Sequence, residues 1–185
     1  MFPLQLANDF QIIAYSHFDS LVDAIELVIK SFAENVTSDT RLIIKVHPLD
    51  PGIINYKKLI TTLSVKYGIK NIDYFDGGDL DDIITGSEGI ITVNSTVGIR
   101  ALQLGSPVMT LGNAIYDVVG LTYQGQLDHF WTKAKRPDSS LVNAFITAIA
   151  GTIQIRGVFY NEPGLTAAVD ESSKRLFYGT VGAID

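Results

Sequence analysis

Gly89-Ile90-Ile91-Thr92-Val93-Asn94-Ser95-Thr96-Val97-Gly98 changes character halfway along, and that change decides the fold. Its first five residues form the short apolar run that a buried parallel strand requires. Asn94-Ser95-Thr96 then supplies a polar turn and a helix start, so Thr96–Leu104 reads as a helix stopped by Gly105. Pro107–Leu111 is the next strand. Upstream the same alternation repeats. Phe10–Tyr15 reads as a strand, and Asp19 or Ser20 caps a helix to about Val36 with Leu21, Ile25, Val28 and Phe32 on one face. Arg41–Val46 is an apolar run broken only by Lys45. A turn spans His47–Gly52, a helix runs from Asn55 through Leu63 to Gly68, Asn71–Phe75 is a strand and Asp79–Thr85 a short helix. This βαβαβαβαβ order specifies a parallel α/β sheet with helices on both faces. Ligands of such sheets bind outside the carboxyl ends of the strands, which selects the loops to inspect.

Beyond Gly112 the pattern loosens. Asn113–Asp138 is loop-rich and carries Tyr116, Tyr123, His129, Phe130 and the single tryptophan, Trp131. Ser139–Ala150 reads as helical, and Gly157–Asp185 shows no clear period. The expected organisation is one domain over residues 1–156, with residues 157–185 a tail that packs back on it.

The 185 residues are 46% apolar and 18% charged with no cysteine, which suits one domain with a sizeable core. Disulfides, thiolate zinc sites and thiol nucleophiles are excluded together. No apolar run approaches the roughly 20 residues of a membrane span, and Met-Phe-Pro-Leu-Gln has no secretory character. A soluble, cytoplasmic domain is expected. Net charge is −6, with 7 basic and 13 acidic residues in 1–92 and 7 of each in 93–185. No Lys/Arg cluster is available to neutralise a duplex, which argues against nucleic acid as a partner.

Lys45-Val46-His47-Pro48 closes the second strand of the central run. An imidazole there can donate to a phosphate oxygen while Pro48 sets the backbone direction; equally, His47 is a polar residue that ends a strand. Asn94-Ser95-Thr96-Val97-Gly98 combines hydroxyl donors with a helix start and a glycine that admits close approach. Taken alone it is also an ordinary N-cap. Its weight comes from pairing with His47 at the same edge. In Asp76-Gly77-Gly78-Asp79, Gly77 and Gly78 could let a base or ribose lie against the backbone, whereas the aspartates read as turn and cap residues. Tyr116 could stack on a base or sugar or simply pack its loop. Leu127–Trp131 reads as a structural plug, and Asp81-Asp82 as helix capping rather than a metal site. No nucleophile elbow, Walker loop or dinucleotide fingerprint is present.

Phe2-Pro3-Leu4-Gln5-Leu6, Asp9-Phe10-Gln11-Ile12, Ile44–Asp50, Asn94–Gly98, Pro107–Gly112 and Ala114–Asp117 together resemble the capsule polysaccharide synthesis family. The resemblance covers about Phe2 to Trp131. It implies a Rossmann-like domain, the C-terminal, donor-binding half of a GT-B glycosyltransferase that takes CMP-Kdo as donor substrate. It also implies that His47 and Ser95–Thr96 hold the donor phosphate. Lys45, Pro48, Asn94, Gly98, Gly77, Gly78 and Tyr116 complete the expected nucleotide-binding set; no metal and no tightly bound cofactor are expected. Catalytic residues and the lipid or glycolipid acceptor are expected in an N-terminal domain for which 185 residues leave no room. The chain thus reads as an excised or truncated half that binds a nucleotide sugar without turning it over, with a peripheral position on the inner face of the plasma membrane and capsule assembly proteins as further partners. Competing readings are a noncatalytic interaction module of capsule synthesis and export, and a UDP-sugar epimerase-like enzyme.

Overall fold

The computed structural model describes residues 1–37 and 39–180. They divide into two compact units, Met1–Ser139 and from Ser140 onward. In the first unit, strands β1 (Phe2–Pro3), β2 (Leu42–Lys45) and β3 (Ile72–Phe75) form one parallel ladder, and β4 (Ile90–Thr92) pairs in parallel with β5 (Val108–Thr110). Met1 joins the two ladders. Its amine donates to Gly89 O at 2.8 Å and its carbonyl accepts from Ile91 N at 2.9 Å, the alternation of a parallel pair. Across the molecule the strands therefore run 3-2-1-4-5, the doubly wound, Rossmann-like order, and the chain changes direction of travel between β1 and β4.

Helices α2 (Leu21–Asn35), α3 (Tyr56–Lys66), α4 (Leu80–Thr85) and α5 (Val97–Gln103) connect the strands. α2 packs on α3, and α4 packs on α5. Ser20 starts α2 with a capping box: its hydroxyl accepts from Asp23 N while Asp23 accepts from Ser20 N. Leu21, Ala24, Ile25, Val28, Ile29 and Phe32 bury one face, so the helix is held by packing at helical spacing. The sheet alternates accordingly. Ile91 and Val93 join the core that contains α2, while Ile90 is buried away from that cluster. Helix α6 (Leu127–Lys133) seals the α2 side. Trp131 meets Phe32 edge-on at 5.2 Å, and its indole N–H donates to Ser31 Oγ, which in turn donates to Asp128. The plug expected at Leu127–Trp131 is this helix.

Phe10–Tyr15 is not a strand but helix α1. Asp9 accepts from Gln11 N and caps it, and only Ile12 is buried, so the apolar run never enters the sheet. The first strand lies instead at Phe2–Pro3. In the second unit, α7 (Ser139–Thr152) matches the expected helix. Gly164–Tyr178 forms α8, where the sequence shows no period; Arg175 donates there to the carbonyls of Thr152 and Gln154. The expected tail covers α8, and its last five residues lie outside the described residues. No described helix is long and apolar enough to cross a membrane.

Candidate functional site

The carboxyl ends of β1, β2, β4 and β5 surround an open cleft of about 800 Å³. Gln5, Leu6 and Asp9 come from the loop after β1, His47 from the end of β2, and Asn94, Ser95 and Thr96 from the turn after β4. Asn113–Tyr116 line it from the loop after β5, and Gln11 and Tyr15 from α1. A second cavity, about 480 Å³ and lined by Met1, Arg41, Glu88 and Trp131 among others, opens at the amino ends of the strands, the edge that α/β sheets do not use for ligands.

Residues remote in the chain thus meet around one space. His47 Nδ1 accepts from Leu49 N at 3.1 Å. In the neutral ring that bond requires the Nε2–H tautomer, so the imidazole keeps one N–H donor for a ligand. Ser95 Oγ accepts from Val97 N at 3.2 Å in the turn that leads into α5; its own hydroxyl hydrogen has no acceptor among the described residues. Thr96 makes no capping bond and is exposed. The bond from Val97 N uses one lone pair of Ser95, leaving two hydroxyl donors and one imidazole donor. Because α5 has only seven residues, these donors rather than a helix dipole are what the cleft could present to an oxyanion.

Other candidate residues have different partners. Tyr116 is 2% exposed, and its hydroxyl donates to Ser95 O. Burial pushes its ionisation far above the ordinary phenol range. It holds the turn in place and has no free face on which to stack a base. Gly98 explains how it fits. A Cβ there would fall 2.3 Å from the Tyr116 oxygen, so the glycine admits this ring rather than a ligand. Gly112 plays a matching part, since a Cβ would fall 2.8 Å from Ser16 Cβ and 2.9 Å from Tyr15 O, where Asn113 N bonds.

The β3 side contributes nothing to this cleft. Lys45 is buried and donates to Gly77 O at 3.1 Å, so it braces the loop after β3; Lys45, Pro48, Gly77 and Gly78 are absent from the lining. Asp79 caps α4 through Asp82 N, and Asp81 pairs with Arg100, whose guanidinium holds the carboxyl below its usual range. No cluster of three His, Cys, Asp or Glu residues with metal-binding geometry occurs among the described residues. Gln5 was not among the expected ligand residues, although it is buried at the switch point and bonds to Asn94. No local signal in the sequence marks it, because its burial two positions beyond a two-residue strand is visible only in the structure.

Residues 1–160 match the family described as capsule polysaccharide biosynthesis protein. The chain belongs to this family. It is 37% identical over 158 residues to the capsule polysaccharide export protein KpsS of Escherichia coli, covering 85% of this chain and 41% of that one. It is 35% identical over 162 residues to the capsule polysaccharide modification protein LipB of Neisseria meningitidis strain Z2491, covering 86% and 39%. The chain therefore spans well under half the length of these relatives of the capsule family. Among solved structures, KpsC of Thermosulfurimonas dismutans, a beta Kdo 2,7 transferase, superposes with a TM-score of 0.54 at 18% identity, covering 94% of this chain and 53% of that one. At that identity the likeness shows the fold.

Proposed function

We propose that the Met1–Ser139 unit holds the nucleotide-activated sugar of a capsule-polysaccharide glycosyltransferase, with CMP-Kdo as the donor. The observation that carries this reading is the shared cleft: His47, Ser95 and Thr96 end separate strands yet line one space at the switch point of the sheet. The lining residues include no lysine or arginine and one carboxylate, Asp9, so neutral N–H and O–H donors would meet the donor's phosphate. Net charge does not choose between donors, because the Kdo carboxylate gives CMP-Kdo the same two charges as the diphosphate of a UDP-sugar; the cytidine donor is proposed from the capsule family to which the chain belongs. As the bond from sugar to phosphate breaks, charge grows on the departing CMP. The His47 Nε2–H and the Ser95 and Thr96 hydroxyls would stabilise that charge without moving a proton. The carboxylate that acts at the anomeric carbon and the lipid or glycolipid acceptor would belong to a further domain, in a GT-B arrangement. The unit would work in the cytoplasm at the inner face of the membrane, alongside other capsule assembly proteins.

Calorimetric titration of the chain with CMP tests this reading. Each lost hydrogen bond to a charged phosphate is worth about 1.5–3 kcal/mol, so His47→Ala and Ser95→Ala should each weaken CMP by roughly tenfold or more. UMP should bind through the same phosphate contacts, and UDP should gain nothing from its second phosphate. Unchanged CMP affinity in both variants would remove the assignment. Absence of any nucleotide binding would favour the noncatalytic interaction module instead.

A further inference from the structure

The seam between β1 and β4 is built differently at its two ends. At the amino end, Met1 makes main-chain bonds to Gly89 and Ile91. Two residues on, the position that faces β4 is Pro3, which has no N–H to donate. Among the described residues no main-chain bond joins β1 to β4 past Ile91. Side-chain amides take over there. Gln5 Nε2 donates to Asn94 Oδ1 at 2.9 Å, and Asn94 N donates back to Gln5 Oε1 at 3.2 Å. Gln5 Nε2 also donates to Asp9 Oδ2 at 3.0 Å, while Asp9 Oδ1 caps α1. Asn94 Nδ2 donates to Gln11 O at 2.8 Å and to Tyr15 O at 3.4 Å, at the two ends of α1.

This leaves Asn94 with no amide donor for a ligand. Its oxygen accepts from Gln5 and both its N–H groups point at α1. We infer that Gln5 and Asn94 are positioning residues: their reciprocal amide clasp replaces the main-chain ladder that Pro3 ends, and fixes both the Ser95–Thr96 turn and the α1 wall around the cleft. Gln5 borders the cleft but is only 5% exposed, and its amide is engaged by Asp9 and Asn94, so its influence passes through Asn94 N, one residue before Ser95. The effect on binding rests on the nucleotide reading above; the effect on the turn does not.

The experiment uses the 185-residue chain with Gln5→Ala, Asn94→Ala, the double variant and the isosteric Gln5→Glu, all at a temperature where each is folded. Ligand-free proton–nitrogen spectra are recorded first. Gln5→Ala should shift the amides of Ser95, Val97 and Gln11, and adding Asn94→Ala should add little to those shifts. CMP titration follows. Each single variant should weaken CMP by roughly tenfold, and the double variant should lose no more than the worse single, because one clasp is broken only once. Gln5→Ala combined with His47→Ala should instead multiply. Gln5→Glu keeps the acceptor for Asn94 N but sets a carboxylate against Asp9 and Asn94 Oδ1, and should reproduce the loss even if Gln5→Ala does not fold. A merely structural glutamine would lower the thermal midpoint and leave CMP affinity of the folded protein unchanged, which overturns the inference. So would Gln5→Ala shifts confined to residues 4–6, or additive losses at Gln5 and Asn94. If the parent chain binds no CMP, the nucleotide reading fails and the spectra alone decide the clasp.

Discussion

The amino and carboxyl ends of the β1–β4 seam are joined by different chemistry. At one, peptide groups close the seam and the Met1 amine is buried; at the other, a proline ends the ladder and two side-chain amides hold the strands beside an open cleft. Main-chain bonds hold the fold together, and the place where they stop is where a ligand can enter. Changes at the first end should act on stability, and changes at the second on binding.

The largest expected effect is at the closed end. Burial lowers the Met1 amine from its ordinary 8.0 to about 5. A base that is harder to protonate when folded contributes full stability above pH 8 and loses it progressively as pH falls from 8 towards 5. The interval corresponds to at most about 4 kcal/mol. Denaturant titrations of the 185-residue chain at pH 8.5 and pH 5 should show this loss. N-acetylation, which places an uncharged amide N–H against Gly89 O, should remove this contribution to the pH dependence. The second prediction is at the packed base of the open end. Gly98→Ala forces a methyl into the Tyr116 ring and should cost about 1–3 kcal/mol, read as a shifted denaturant midpoint, with CMP binding weakened as the Ser95 carbonyl loses its phenol. Third, Lys45→Met cuts the brace to Gly77 at a position outside the cleft lining, so CMP affinity should stay within about twofold while His47→Ala lowers it. A Lys45 effect as large as that of His47 would extend the site to the loop after β3. The smallest effect is at the Asp81–Arg100 surface pair, where Arg100→Ala should leave both the thermal midpoint and CMP binding near their parent values.

Much of the carboxyl edge was legible because β2, β4 and β5 are apolar runs of ordinary strand length, followed by turn residues. The first strand was not. Two residues, Phe2–Pro3, carry no period, and the residue that bonds this segment to the β4 side is Met1, which lies outside the strand itself. Phe10–Tyr15 drew the strand assignment because six mostly apolar residues look alike in either conformation. The deciding signal was the Asp9 side chain, which commits its carboxylate to Gln11 N. His47 and Ser95–Thr96 were readable from chemistry at strand ends. Asn94, Gly98 and Tyr116 carry the same chemistry and were grouped with them, but only coordinates show that their polar atoms and space are already taken by protein. Gln5 illustrates the converse, since nothing local to a glutamine reveals that its partner lies 89 residues away.

Trp131 is the chain's single indole, wedged between Phe32 and Phe130 with its N–H tied to Ser31. Its fluorescence is therefore a clean reporter on the helical layer behind the sheet: an emission change during denaturation dates the loss of that layer, whereas occupancy of the opposite-facing opening must be read by some other probe.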